Sequence, residues 1–402
     1  MSAGVPENPL TIPLSLLVIF CSAKIMAELF ERLRLPGIVG EIVAGVVVGP
    51  QVLHWMQPNA VLSAFSDLGL IFLLFRIGLE VKASELMREG GTALAVAVSG
   101  VVLPFVMGWG IMRAWHTSQI EAIFVGVAMV ATSVGITAEV LKRMGVLSLR
   151  SSQIILAAAV FDDILGLLAL SVASSMARGS VNLPVIGFTA LLAIGFTALV
   201  AHWGSRFMQR FVPKLRLSLN FPEQGFAIAM AALFALSVLA VWAGVAAITG
   251  AFLAGMAMSE TVDQRVNTLT AGMTELFLPF FLAGVGMHLD LITFRTADTL
   301  LLTIVIVAAA IVSKIVGCGL GAFRLGRREA WQVGTGMIPR GEVGMVVAQM
   351  GVGFGVIAQP VYGVIIAMSV LTTVVAPWIL SYSFRGERAG DTDGAGGSAT
   401  TL

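Results

Sequence analysis

Asp162 and Asp163 stand side by side in the otherwise apolar run from Ile154 to Leu170. Carboxylates at membrane depth are costly to insert and are functional by default. Two adjacent ones cannot both ionise easily without a counter-charge, so protons and cations compete for such a pair. Lys314 is a candidate counter-charge, isolated among Ile311, Val312, Ile315 and Val316. Neighbouring helix positions point about 100° apart. One acid can therefore pair with Lys314 while the other faces a water-filled cavity. Burial couples the three groups into a set able to exchange protons near neutral pH. A small hard cation takes oxygen ligands. A carboxylate with hydroxyls or carbonyls of Thr132 and Ser133 could supply them. A purely structural ion pair would need only one aspartate.

Two further segments have poor helix centres: Ala131-Thr-Ser-Val-Gly-Ile-Thr137, and Gly334 to Gly344 with Pro339, Arg340, Gly341 and Glu342. Proline removes a backbone donor and glycine weakens a helix, while hydroxyls satisfy freed backbone groups. Both segments read as broken helices that cross at the bilayer centre and present half-helix ends of opposite partial charge. Arg340 and Glu342 are placed to compensate those ends. Close packing alone, the reading for Gly317-x-x-x-Gly321, does not explain a charged pair.

Positioning these groups is the task of a membrane-embedded, all-α chain. Of 402 residues, 57% are hydrophobic and only 12% charged, and the mean hydropathy is +0.95. That composition excludes a soluble domain. A net charge of +1 gives no footprint for nucleic acid. Cys21 and Cys318 lie in apolar stretches and imply neither a disulfide nor a metal site. His54, His116, His202 and His288 fall near segment ends and read as interfacial. The first apolar run, about Leu10 to Ala27, lacks a basic leader and a cleavage site, so it reads as a retained helix.

A spanning helix needs about 20 apolar residues. Thirteen segments meet or approach that: 11–31, 37–53, 62–80, 92–114, 119–142, 151–177, 184–207, 222–243, 245–260, 269–288, 298–322, 329–352 and 357–382. With the N-terminus outside, seventeen loop Lys and Arg residues, from Arg32 to Arg388, fall on the cytoplasmic side. Arg113, Arg178 and Arg295 are the three left outside. Such a bias places the C-terminus in the cytoplasm. Lys24, Arg76, Lys314 and Arg340 fall within apolar segments. The tail from 383 to 402 reads as disordered and cytoplasmic.

The halves echo each other. Gly45 and Gly255, in similar surroundings, are 210 residues apart; Gly78 and Gly286, 208; Gly135 and Gly344, 209. The offset moves a helix seven places, an odd number, so each echo crosses in the opposite direction. The chain from 1 to 382 thus reads as one domain: repeats 11–177 and 222–382, of six helices each and inverted topology, joined by a linker helix at 184–207. Inverted repeats are a transporter architecture with the site at the midplane. Lys314 maps onto Phe105, and Asp162 and Asp163 onto Leu371 and Thr372, so the acids and the lysine belong to different repeats.

The chain resembles the monovalent cation:proton antiporter-2 family, within the sodium/proton exchanger fold. The matching stretches are Gly40 to Pro50 with Glu41, Gly78-Leu79-Glu80, Ala131-Thr132-Ser133, Phe161-Asp162-Asp163, Lys314, and Pro339 to Gly344. The resemblance implies that Asp163 is the main ion- and proton-binding carboxylate, holding Na⁺ in transit, and that Asp162 pairs with Lys314. It implies a homodimer, a dimer-plus-core division of each protomer and elevator-like alternating access. Members with the Asp-Asp pair and the lysine resemble the electrogenic exchangers; electroneutral relatives usually have Asn in place of the first acid. Arg76 departs from the pattern, which is usually apolar or small there; it faces the cavity or pairs with Glu80 or Glu41. Kef-type relatives carry a C-terminal nucleotide-binding domain for gating, and no such domain is expected here.

The expected function is therefore Na⁺ (or Li⁺) expulsion against inward H⁺ at an inner (plasma) membrane, with no enzymatic activity and no cofactor beyond the transported ions. K⁺/H⁺ exchange is the alternative. An intramembrane aspartyl protease needs its two acids on separate helices facing each other. A receptor or scaffold would not need Lys314 opposite two acids.

Overall fold

The computed structural model describes residues 11–33, 35–81, 88–179, 183–218, 223–289, 296–385 and 387. These residues are all-helical, with no strand among them. In chain order the helices are α1 (Thr11–Arg32), α2 (Gly37–Val48), α3 (Ala60–Glu80), α4 (Gly90–Ala114), α5 (Gln119–Val130), α6 (Val134–Arg143), α7 (Arg150–Ala177) and α8 (Leu183–Ser218). They continue as α9 (Gln224–Trp242), α10 (Ala247–Met258), α11 (Gln264–Met287), α12 (Ala297–Gly321), α13 (Arg327–Gly336), α14 (Glu342–Gly353) and α15 (Gln359–Ser383).

Each of the thirteen expected segments falls on one helix or on a consecutive pair. Among the described residues ten stretches are long and apolar enough to cross a membrane, with α5 and α6 together forming one of them. Segments 37–53 and 245–260 are shorter than expected. Their helices, α2 and α10, have 12 residues each, about 18 Å at the α-helical rise, well short of a bilayer core. Gly49-Pro50 ends α2, since proline cannot continue the helix, and the chain folds back with Met56 N–H donating to the Val48 carbonyl at 2.9 Å. The linker helix is longer than expected: α8 runs for 36 residues. His202 consequently lies inside α8, stacked edge-on against Trp203, and not near its end. Most of the expected disordered tail lies outside the described residues.

The helices sort into two groups. In one, α1, α2, α3, α9, α10 and α11 pack on one another, with α8 against α9 and α10; in the other, α4 to α7 pack with α12 to α15. The groups meet along a narrower seam: α3 on α6, α2 on α15 and α7 on α8. Within the first group glycines permit very close crossings. A side chain on Gly45 would strike the Ala283 backbone, and one on Gly286 the Ile42 carbonyl. The echoed positions repeat the contact: Gly255 meets the Phe75 carbonyl and Gly78 that of Phe252. The short helices α2 and α10 are thereby each clamped against a long one, α11 and α3.

Arg143 at the end of α6 lies 3.7 Å from Glu31 at the end of α1, and this end of the helix bundle is hereafter the basic face.

Candidate functional site

α5 stops at Val130 and α6 starts at Val134; α13 stops at Gly336 and α14 starts at Glu342. The extended links cross: Ser133 N–H donates to the Pro339 carbonyl at 2.8 Å. Each break exposes a helix C-terminus whose carbonyls carry partial negative charge. Arg340 covers the first, donating from Nη1 to the Ala131 carbonyl and from Nη2 to the Ala310 carbonyl of α12, each at 3.2 Å. Thr137 covers the second, its hydroxyl donating to the Gly336 carbonyl at 2.6 Å. Thr372 and Thr373 on α15 hold the Arg340 backbone from both sides. Arg340 is fully buried. Arg340 therefore lies against the carbonyl end of α5. The Glu342 side chain lies outside the described residues.

Asp162 and Asp163 point apart, as the helical period requires. Asp162 turns into the second group and receives a 3.0 Å hydrogen bond from Lys314 Nζ, with the two side chains 1% and 0% exposed. Its other oxygen, Oδ2, has no hydrogen-bond partner among the described residues. Gly317 and Gly321 let α4 close directly on α12 beside this pair. Asp163 turns to the seam, where the Thr249 hydroxyl of α10 donates to its Oδ2. The seam between the groups is therefore spanned by this carboxylate. Two acids diverging on one helix cannot share a proton in the manner of an aspartyl protease.

Thr132 and Ser133 are buried at the first break, and their hydroxyl oxygens find no hydrogen-bond partner among the described residues. Buried polar atoms of this kind call for an explanation, and an oxygen-seeking cation in transit would supply one. Arg76, half-buried on α3, does not take either expected acid. Glu41 pairs with Lys24 at 3.2 Å and lies 3.8 Å from Arg143, and Glu80 pairs with Lys142 at 3.3 Å. The basic end of α6 claims both carboxylates across the seam, which sequence spacing could not reveal.

Thr249 was not legible as a site residue. A single hydroxyl in a short apolar segment reads as packing, and only the position of α10 brings it to Asp163.

Two of the cavities beside the seam bear on access to Asp163. One of about 780 Å³ opens between α1, α2, α6 and α15 and is lined by Glu31, Arg143 and Tyr382. The other, about 270 Å³, lies between α3, α11, α14 and α15 and is lined by Asp67, His288 and Tyr362. Tyr362 and Tyr382 are twenty residues apart on α15, about 30 Å along the helix. The cavities therefore approach from opposite ends.

Residues 15–385 match the profile described as "Sodium/hydrogen exchanger, transmembrane". The chain is 32% identical over 375 residues to the Na(+)/H(+)-K(+) antiporter GerN of Bacillus cereus, covering 91% of this chain and 95% of that one. It is 34% identical over 417 residues to the high-affinity Na(+)/H(+) antiporter NhaS3 of Synechocystis, covering 93% and 90%. The backbone is similar to that of the sodium proton antiporter MjNhaP1 from Methanocaldococcus jannaschii, with a TM-score of 0.71 at 17% identity over 98% of this chain and 100% of that one. A profile covering nearly all the described helices, with relatives matched end to end, leads to one conclusion: the chain belongs to the sodium/hydrogen exchanger family.

Proposed function

We propose that the chain is a secondary Na⁺/H⁺ antiporter of the cation:proton antiporter-2 branch, and that Asp163 alternately carries a proton and a monovalent cation. The observation that carries this reading is the division of labour on α7. Asp162 is neutralised inside one helix group by Lys314, whereas Asp163 stands at the seam. Thr249, Thr132 and Ser133 offer the further oxygens a hard cation takes. Relative movement of the two groups then exposes Asp163 to one cavity or the other, which is alternating access. The cation is cargo, and no cofactor takes part.

The finer assignments follow. The Asp-Asp-Lys set favours electrogenic exchange. Two inverted repeats, 11–177 and 222–382, are supported by the paired glycine contacts and by Arg340, which bonds the carbonyl of Ala131, its counterpart 209 residues earlier. The basic face is cytoplasmic by the positive-inside rule, with the N-terminus outside and the membrane an inner (plasma) one. α1 and α8 carry exposed Leu17, Ile25, Leu191 and Phe207, an apolar surface for lipid or for the partner in a homodimer. K⁺/H⁺ exchange is the second reading, favoured by the likeness to GerN, whose name includes K⁺.

The test is dissipation of an imposed proton gradient in proteoliposomes on addition of Na⁺, Li⁺ or K⁺, for wild type and Asp163→Asn. Na⁺- or Li⁺-driven dissipation that vanishes in a folded variant is the expected result. A response to K⁺ alone changes the cargo and keeps the mechanism. Undiminished exchange by Asp163→Asn removes the role assigned to that carboxylate.

A further inference from the structure

The smaller cavity holds a carboxylate that the exchange site does not use. Asp67 sits on α3, two turns from its start, and lines the cavity with Ser63 and Ser66 from the same helix, Gln349 from α14 and His288 just past the end of α11. Asp67, Ser63, Gln349 and His288 are exposed to the cavity. An ionisable side chain on a membrane-spanning helix is tolerated where it faces water or a partner charge. No lysine or arginine is among the described residues that line the cavity. Its counterpart differs. Glu275 on α11 stands 208 residues later, the spacing of Gly78 and Gly286, and has Lys24 at 3.9 Å. Glu275 thus has a lysine beside it, whereas Asp67 shares its cavity with hydroxyl, amide and imidazole groups.

The cavity is also aimed at the exchange site. Leu70, one turn deeper on α3, forms part of its lining, and its methyl group occupies the space a side chain on Gly135 would need. Gly135 is the second residue of α6, directly after the break that holds Thr132 and Ser133. One buried leucine thus lies between the Asp67 cavity and the half-helix start. The His288 ring is fixed by a 2.7 Å hydrogen bond between Nδ1 and the Gly284 carbonyl, so its other nitrogen remains for the cavity.

We propose that Asp67 is a second, shallow binding site for a monovalent cation on the route from the face opposite the basic one. Its carboxylate is the charged ligand, Ser63 and Gln349 the neutral oxygen donors, and water completes the shell. A charge of one sign in a low-dielectric cleft raises the local counter-ion concentration by focusing the field. The site loads cations at that face before Leu70 clears, while the counterpart carboxylate, Glu275, is met by Lys24. The proposal rests on the antiport reading above.

The experiment compares wild type, Asp67→Asn and Asp67→Glu in proteoliposomes sorted by orientation, with thermal unfolding as a check that each variant is folded. Exchange is measured while Na⁺ is varied on one face at a time. Asp67→Asn is expected to raise the half-saturating Na⁺ at the face opposite the basic one by roughly three- to ten-fold, and by clearly more than at the basic face. Asp67→Glu is expected to restore most of the difference. Equal shifts on both faces, or none on either, overturn the proposal while leaving the antiport reading standing. A wild type that exchanges none of the cations overturns that reading, and the proposal falls with it.

Discussion

The two helix groups treat buried charge differently. The group of α4–α7 and α12–α15 seals Asp162, Lys314 and Arg340 inside itself, each at most 1% exposed. The group containing α1–α3 brings Glu41, Glu80 and Glu31 to the seam, where they meet Lys142 and Arg143 of α6. A charge sealed within one rigid group has no substitute partner, so losing its mate leaves it stranded in low dielectric. A charge at the seam can have several partners. Arg143 reaches Glu139, Glu41 and Glu31 at once. The difference fits a molecule whose interior pairs are permanent while its seam contacts must be remade as the groups move.

That contrast can be broken by experiment. Lys314→Ala has the largest expected effect on stability, a loss of about 3–5 kcal/mol, because it strands the Asp162 carboxylate. Chemical denaturation of the purified variant measures it, and the sealed-pair account does not survive a variant as stable as wild type. Adding Asp162→Asn to that background should recover part of the loss and show a coupling between the two sites. Arg143→Gln is expected to cost about 1 kcal/mol or less, since its side chain is 34% exposed and screened, partner-rich pairs contribute little. A loss matching that of Lys314→Ala would erase the distinction between interior and seam. Thr249→Val is the finest probe. It keeps the shape of the side chain and removes the hydroxyl that reaches Asp163. Stability should change by about 1 kcal/mol or less, while the half-saturating Na⁺ for exchange rises several-fold. Unchanged cation dependence would take Thr249 out of the binding set.

Much of the site was legible because its signals are local. Charges inside apolar runs mark Asp162, Asp163, Lys314 and Arg340 without any tertiary information; hydroxyls with a glycine mark the first break, and glycines with Pro339 the second. The helical period alone says that the two aspartates must diverge. Arg76 shows the limit of such reading. Its nearest acids by motif are Glu80 and Glu41, yet both are held by Lys24, Lys142 and Arg143. Spacing within one helix fixes a direction but not what another helix brings to meet it. Asp67 illustrates the same limit, being an ordinary acid in the sequence and a cavity wall in the fold.

The sequence by itself determined that this is an all-helical membrane protein with broken helices, buried countercharges and an offset of about 210 residues between echoing glycines. Composition and periodicity carry those facts because each depends on a residue and its near neighbours. Only the tertiary structure decided which aspartate joins Lys314 and which meets Thr249. It also decided that α2 and α10 are short, and that Arg340 covers the end of α5. Those outcomes depend on how helices far apart in the chain pack, and packing is set by the shapes of the whole set of helices together.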